Sequence, residues 1–232
     1  MTISAFISTG LRATWRNRAL HWIDREARHA RRGRPVRVIA KINAVIDPPI
    51  IQALYRASSA GVEIDLIVRG QCGLVPGLRG VSSRIRVRSI VGRFLEHSRI
   101  FYFENGAKPE VYLGSADWMP RNLYERVEVL FPLKDPQHCE RVRNEILSSY
   151  LADTRKARML GSDGAYSRPR AVRNGYGFSA QEHFMRLASG NGDPQHIPTL
   201  RGQVVYTPGT MIAPPVGAPE EESSLDSSNA TV

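Results

Sequence analysis

The sequence predicts an α/β domain, a mixed sheet flanked by helices, followed by a disordered C-terminal tail. Three observations carry that reading. A strand–helix–strand unit is written out between residues 36 and 68. Short apolar runs with a period of two recur at 84–91, 99–115 and 126–131. Beyond about residue 161 the pattern fails, and Gly, Pro, Ser and Asn dominate up to "PEEESSLDSSNATV", a composition that buries too little to offset the entropy of ordering. Of the 232 residues 42% are hydrophobic and 8% aromatic, enough for one domain with a buried core. The expected layout is a basic helical segment at 1–33 belonging to the domain, the domain proper at 34–160, and the tail at 161–232.

The elements follow in order. Over 12–31, Leu11, Trp15, Ala19, Trp22 and Ile23 keep one face of a helix, arginines fill the remainder, and Gly33 with Pro35 ends it. "VRVIAKIN" at 36–43 reads as a strand. Asp47 then caps a helix with prolines at its first positions, and Gly61 stops it. "VEIDLIV" at 62–68 is a second strand, parallel to the first because a helix connects them. After the Gly-rich loop "GQCGLVPGLRGVSS", the run "RIRVRSIV" alternates, with Ile85 and Val87 on one face and Arg84, Arg86 and Arg88 on the other. "RIFYFENGAKPEVYLGS" forms a hairpin turning at Asn105-Gly106. "RVEVLF" at 126–131 is a further strand; Tyr102 and Val129 are expected at buried strand positions. A closing amphipathic helix runs from Asp135-Pro136 through "CERVRNEILSSYLADTRKARML".

Charge and cysteines narrow the setting. Lys and Arg number 32 against 22 Asp and Glu, a net +10, which attracts polyanions such as nucleic acid, nucleotides, polyphosphate or an acidic membrane surface. No apolar run approaches the length of a membrane span, and the N-terminus lacks a signal-peptide core. Cys72 and Cys139 have no metal-type spacing and suit a reducing compartment, so a cytoplasmic location is expected. His21, His29, His138, His183 and His196 have no partner at ligand spacing, so no metal site is expected.

Chemistry concentrates in "RFLEHSRIFYFENGAKPEVYLGSADWM". His97-x-Arg99 is followed by Glu104 and then Gly114-Ser115-x-Asp117. The spacing resembles the phospholipase D superfamily pattern His-x-Lys-x(4)-Asp with Gly-Ser-x-Asn, carrying Arg for Lys, Glu for Asp and Asp for Asn. A histidine at a strand mouth can attack phosphorus or pass a proton to a leaving oxygen. A guanidinium stabilises phosphoryl oxygens. Ser115 is a candidate donor to phosphate and Asp117 a candidate for orienting the imidazole. A histidine at a strand edge is as often structural. Arg69 stands where a strand meets the Gly-rich loop, at the edge where α/β sheets collect ligands, or is a solvated surface arginine. Arg84, Arg86 and Arg88 with the first helix are either solvated faces or a polyanion track.

Longer blocks carry a family resemblance. "IDLIVRGQCGLVPGL", "IRVRSIVGRFLEHSRIFYFENG", "VYLGSADWMPRNL" and "RVEVLFPLKDP", with "REARHARRGRPVRVIAKINAVIDPPIIQALYRASSAGV" upstream, resemble the C-terminal phospholipase-D-like domain of bacterial polyphosphate kinase of the long-chain-synthesising type. The match runs over residues 8–168. It implies reversible transfer of the terminal phosphate of ATP to polyphosphate, at a site between two phospholipase-D-like domains. By the resemblance, Arg69 corresponds to a nucleotide-contacting arginine. His97 corresponds to the second histidine of the site, touching the ATP phosphates and a candidate general acid. The family's phosphorylated histidine, magnesium-associated arginines and adenine-packing tyrosine belong to the preceding domain and have no counterpart here. ATP or ADP is then the nucleotide substrate, with Mg2+ implied and its ligands outside this chain. Polyphosphate and adenine nucleotide are the expected partners, with either a separate chain carrying the missing domains or a homodimer. The competing readings are a non-catalytic module binding polyphosphate or nucleic acid, and a dimeric phospholipase-D-like phosphodiesterase.

Overall fold

Alternation along the strands decides how this molecule is layered. The computed structural model describes residues 6–8, 14–169, 177–193 and 196–197. In β2 (Arg37–Ile42), Val38, Ala40 and Ile42 face one way and Ile39 the other, each at most 3% exposed. The first set joins Trp15, Ala19, Trp22, Ile23 and Ala27 of α1 (Thr14–Ala30) and Ile50, Ala53, Leu54 and Ala57 of α2 (Pro48–Ser59) in one core. Ile39 joins Ile67, Ile90, Ile100, Tyr102, Val111, Leu147 and Tyr150 in a second core on the opposite face. The sheet is therefore buried on both sides, as its β-branched central strands require.

The sheet has nine strands in the order β1-β7-β6-β5-β2-β3-β4-β8-β9. These are β1 (Phe6–Ser8), β3 (Glu63–Val68), β4 (Ile85–Ile90), β5 (Arg99–Phe103), β6 (Glu110–Gly114), β7 (Glu128–Leu133), β8 (Ala157–Leu160) and β9 (Tyr166–Ser167) besides β2. β2, β3 and β4 run parallel, and the remaining pairings are antiparallel. The mixed sheet flanked by helices expected from the sequence is present. Asp47 caps α2 by accepting from the Ile50 amide, with prolines at the first positions. The hairpin turn carries Asn105 and Gly106 at φ 50° and 61°, the left-handed conformation that Asn and Gly tolerate.

Four expectations change. The closing helix ends at Ala152, after α3 (Pro136–Arg141), a wider-wound stretch (Val142–Leu147) and α4 (Ser148–Ala152). Asp153 leaves helical geometry, and its carboxylate accepts from the amides of Lys156, Ala157 and Ala180. "ARML" then forms β8 beside β4. The packed unit also extends past the boundary expected at 160: α5 (Ala180–Ala188) buries Ala180 and His183, and Phe184 meets the Tyr150 ring edge-on at 5.2 Å. The tail is thus partly structure; its stretch 198–232 lies outside the described residues, as does Leu11. Finally, β7 takes the opposite phase. Glu128 and Leu130 face inward while Val129 is 38% exposed, because shifting a strand by one residue exchanges its faces.

That last difference separates two substitutions. Tyr102 is 1% exposed and its hydroxyl donates to Glu104. Tyr102→Ala is expected to cost about 2–5 kcal/mol in a urea melt. Val129→Ala should change stability by about 0.5 kcal/mol or less.

Candidate active site

One edge of the sheet gathers the ends of four strands. In the parallel pair, Ile42 of β2 lies beside Val68 of β3. β5 runs the other way, Lys41 facing Ile100, so it begins where β2 ends. β6 closes opposite, with Gly114 facing Arg99. The residues just beyond these ends, Asn43, Arg69, His97 and Asp117, therefore leave the sheet at one place.

Hydrogen bonds join them into a chain. The Asp117 carboxylate, 5% exposed, accepts from Arg99 Nε at 3.2 Å and Nη2 at 2.9 Å. It also accepts from the Asn43 amide at 2.7 Å and from Asn43 Nδ2 at 3.1 Å. Asn43 Oδ1 accepts from Arg69 Nε at 3.1 Å. At the other end, Arg99 Nη1 donates to His97 Nδ1 and to the His97 carbonyl, each at 2.8 Å. A guanidinium only donates, so Nδ1 must accept and the ring proton sits on Nε2. His97 is exposed, and its Nε2–H is free of partners among the described residues.

Charge at this edge is nearly balanced. Arg99 is matched by Asp117. Lys41, 5% exposed, meets Glu96 at 3.0 Å and lies over the Tyr150 ring at 4.8 Å. Burial holds the Lys41 ammonium below its usual pKa, with Glu96 opposing and the neighbouring Arg69 and Arg99 adding to the depression. Arg69 has no carboxylate partner among the described residues, and only its Nε is engaged. The Arg69 guanidinium, half-buried and with both Nη groups unengaged, faces the same edge as the His97 Nε2–H.

Other expected site residues are placed differently. Glu104 lies past the far end of β5, roughly 17 Å of strand from Arg99, and accepts from the Tyr102 hydroxyl. The Ser115 hydroxyl donates to Glu128 and accepts from the Val129 amide, which commits it to the β6–β7 pairing. Asp117 reaches the imidazole only through Arg99. The strand arginines of the expected polyanion track are engaged within the fold. Arg84 pairs with Glu63, and Arg86 with Glu63 and Asp65, at 2.6–2.7 Å. Arg88 is buried and donates to the Leu151 carbonyl. Carboxylates on the neighbouring strand consume that arginine face.

Sequence reasoning missed Asn43, Lys41, Glu96 and Gln181. Asn43 directly follows β2 at the ligand-collecting end, the same signal that singled out Arg69. Gln181 gave no local signal. From α5 its side chain accepts from the Phe94 amide at 3.1 Å, and donates to the Phe94 carbonyl at 3.0 Å and to Glu96 at 2.8 Å. A Cβ at Gly92 would run into that same amide group. The loop delivering His97 is thus pinned from outside the sheet. In Gln181→Ala, hydrogen exchange at the Phe94 amide should quicken roughly five- to tenfold, one hydrogen bond being worth about 1 kcal/mol, with β2 and β5 amides unchanged.

With this geometry in place, comparison with known proteins is decisive. The family model described as polyphosphate kinase C-terminal domain 2 matches residues 11–181. This chain belongs to that family. It is similar to the polyphosphate kinase of Xylella fastidiosa, 55% identical over 144 residues that cover 62% of this chain and 21% of that one. It is also similar to polyphosphate kinase 1 of Chlorobaculum tepidum, 55% identical over 172 residues, 74% of this chain and 24% of that one. Among solved structures, the polyphosphate kinase of Porphyromonas gingivalis superposes with a TM-score of 0.73 at 39% identity, covering 80% of this chain and 28% of that one. The chain thus spans about a quarter or less of the curated relatives it matches. The family match ends at residue 181 and so takes in the start of α5 with Gln181. As for magnesium, both Asp117 oxygens are taken up by Arg99 and Asn43, and no cluster of His, Cys, Asp or Glu among the described residues is arranged to hold a cation. These residues of the polyphosphate kinase domain do not fit a metal.

Proposed function

We propose that this chain supplies the nucleotide-side wall of a polyphosphate kinase site, working in the reversible transfer of the terminal phosphate of ATP to polyphosphate. The observation that supports it most is the continuous chain Arg69–Asn43–Asp117–Arg99–His97. It sets an unmatched guanidinium and an imidazole N–H at one sheet edge. Arg69 neutralises and aligns phosphate oxygens through its two Nη groups. His97 donates from Nε2 to a phosphoryl or leaving oxygen, and Arg99 fixes the tautomer that makes this possible. Phosphoryl transfer is mainly positioning and charge stabilisation, which these groups provide.

A nucleophile in line with the phosphorus has to come from elsewhere. Beside His97, Val91, Phe94 and Leu95 are 65%, 48% and 79% exposed, an apolar rim suited to being covered by another domain. In this reading the partner is a chain segment bearing the remaining kinase domains, and the setting is the cytoplasm, where ATP is available. No helix among the described residues is long and apolar enough to cross a membrane.

The test is complementation. The chain is mixed with a polypeptide bearing the remaining domains of a polyphosphate kinase, then given ADP and polyphosphate. ATP should form in the mixture and not with either piece alone. Its absence with both pieces folded would overturn the proposal.

A further inference from the structure

A second concentration of positive charge lies at the opposite pole of the sheet. α1 ends in a tight turn: the amides of Arg32 and Arg34 both donate to the His29 carbonyl, and Gly33 takes φ 63°. That turn confines Arg28, Arg31, Arg32 and Arg34 to one small surface, all of them exposed. The β5–β6 turn abuts it. A Cβ at Gly106 would lie 3.4 Å from Arg34 Cδ, and Asn105 Oδ1 is 3.3 Å from His29 Nε2. Lys108, exposed, adds a fifth cation from this second element.

None of the five has an ion-pair partner among the described residues. The nearby carboxylates are engaged otherwise: Glu110 with Arg25, Asp24 with Arg56, and Glu26 buried against the amides of Arg37 and Asn105. The crowding is felt locally, since burial and then Arg34, Arg25 and Arg32 lower the pKa of His29. Carbonyls at the helix end offset part of this repulsion; a polyanion would relieve the rest. Base recognition has little to work with here. Among the described residues, Trp22, Phe103 and Tyr112 are buried, and the exposed Phe94 and Tyr166 belong to other elements, so nucleobases find no stacking platform among them. Phosphate alone is what the surface can read.

We propose that the end of α1, with the 105–108 turn, anchors a linear inorganic polyphosphate at a site separate from the His97 edge. The six residues of β2 set the two roughly 20 Å apart. A long chain held here stays tethered between successive reactions at the other pole. The cation cluster stands by itself; only the choice of polyphosphate rests on the proposed function.

The test titrates the full chain with long-chain polyphosphate over a range of salt concentrations. Replacing Arg31, Arg32 and Arg34 together by Gln should weaken binding roughly tenfold or more and reduce the slope of log affinity against log salt by about two. Lys108→Gln should give a smaller loss of the same sign. ATP affinity, read at the His97 edge, should be unchanged in the triple variant, which separates this site from the catalytic reading. Wild-type polyphosphate affinity in the triple variant, with an unchanged melting temperature, would overturn the proposal. So would single-stranded DNA of equal charge binding as tightly as polyphosphate.

Discussion

Asp117→Ala is expected to lower stability by about 3–5 kcal/mol, the usual consequence of stranding one half of a buried ion pair. Arg99, 9% exposed, would lose both bonds that neutralise it, and the Asn43 amide would lose its acceptor. The damage then spreads in two directions. Arg99 no longer holds His97 Nδ1, and Asn43 no longer presents its oxygen to Arg69. Nucleotide affinity should therefore fall further in Asp117→Ala than in Arg69→Ala or His97→Ala. Urea unfolding monitored by circular dichroism, with a nucleotide titration of the same protein, measures both effects. A variant as stable as the wild type would show that Asp117 is not the hub.

The second large effect concerns Asp65, away from the site. It is 2% exposed and clamped by Arg37 at 2.7 Å and Arg86 at 2.7 Å. Burial alone would raise its pKa, but the two guanidinium groups outweigh burial and hold the carboxyl well below its usual range. Asp65→Ala should cost about 3–5 kcal/mol, leaving two half-buried arginines without their shared acceptor. The pH dependence has a fixed sign. An unfolded Asp takes up its proton near pH 3.9, whereas the folded one resists protonation to lower pH. The clamp's contribution is thus fully present above about pH 4 and drains away as pH falls below it. Urea midpoints across that range should fall steeply in the wild type and more gently in Asp65→Asn.

The sequence exposes the parts of this fold whose signals are local. Asp47, two prolines and Gly61 bracket α2, and the strands beside it have to be parallel. Arg69 and His97 fall on one edge because parallel β2 and β3 end where antiparallel β5 begins, a pairing that the structure supplies. What stayed hidden depended on neighbours far along the chain. The alternating arginines of β4 look like a solvent face until β3 is set beside them, with Asp65 opposite Arg86 in register. Glu63 and Asp65 repeat at the spacing of Arg84 and Arg86, a cross-strand pairing legible only once the two strands are known to be neighbours. In β7 buried Glu128 takes an inward position that an apolar pattern assigns to Val127 and Val129; its partners Ser115 and Asn122 explain how a carboxylate is held there. Gln181 sits in a nine-residue helix with no motif, and its role exists only because the His97 loop folds back against it.

Titration of the full chain with ATP and AMP tests most directly whether Arg69 and His97 grip the same phosphates. Arg69→Ala and His97→Ala should each weaken ATP about tenfold or more, since a charge-assisted contact is worth roughly 1.5–3 kcal/mol, with the melting temperature and AMP affinity nearly unchanged. ATP binding that is undetectable in the wild type, or equal in all three proteins, would contradict the account.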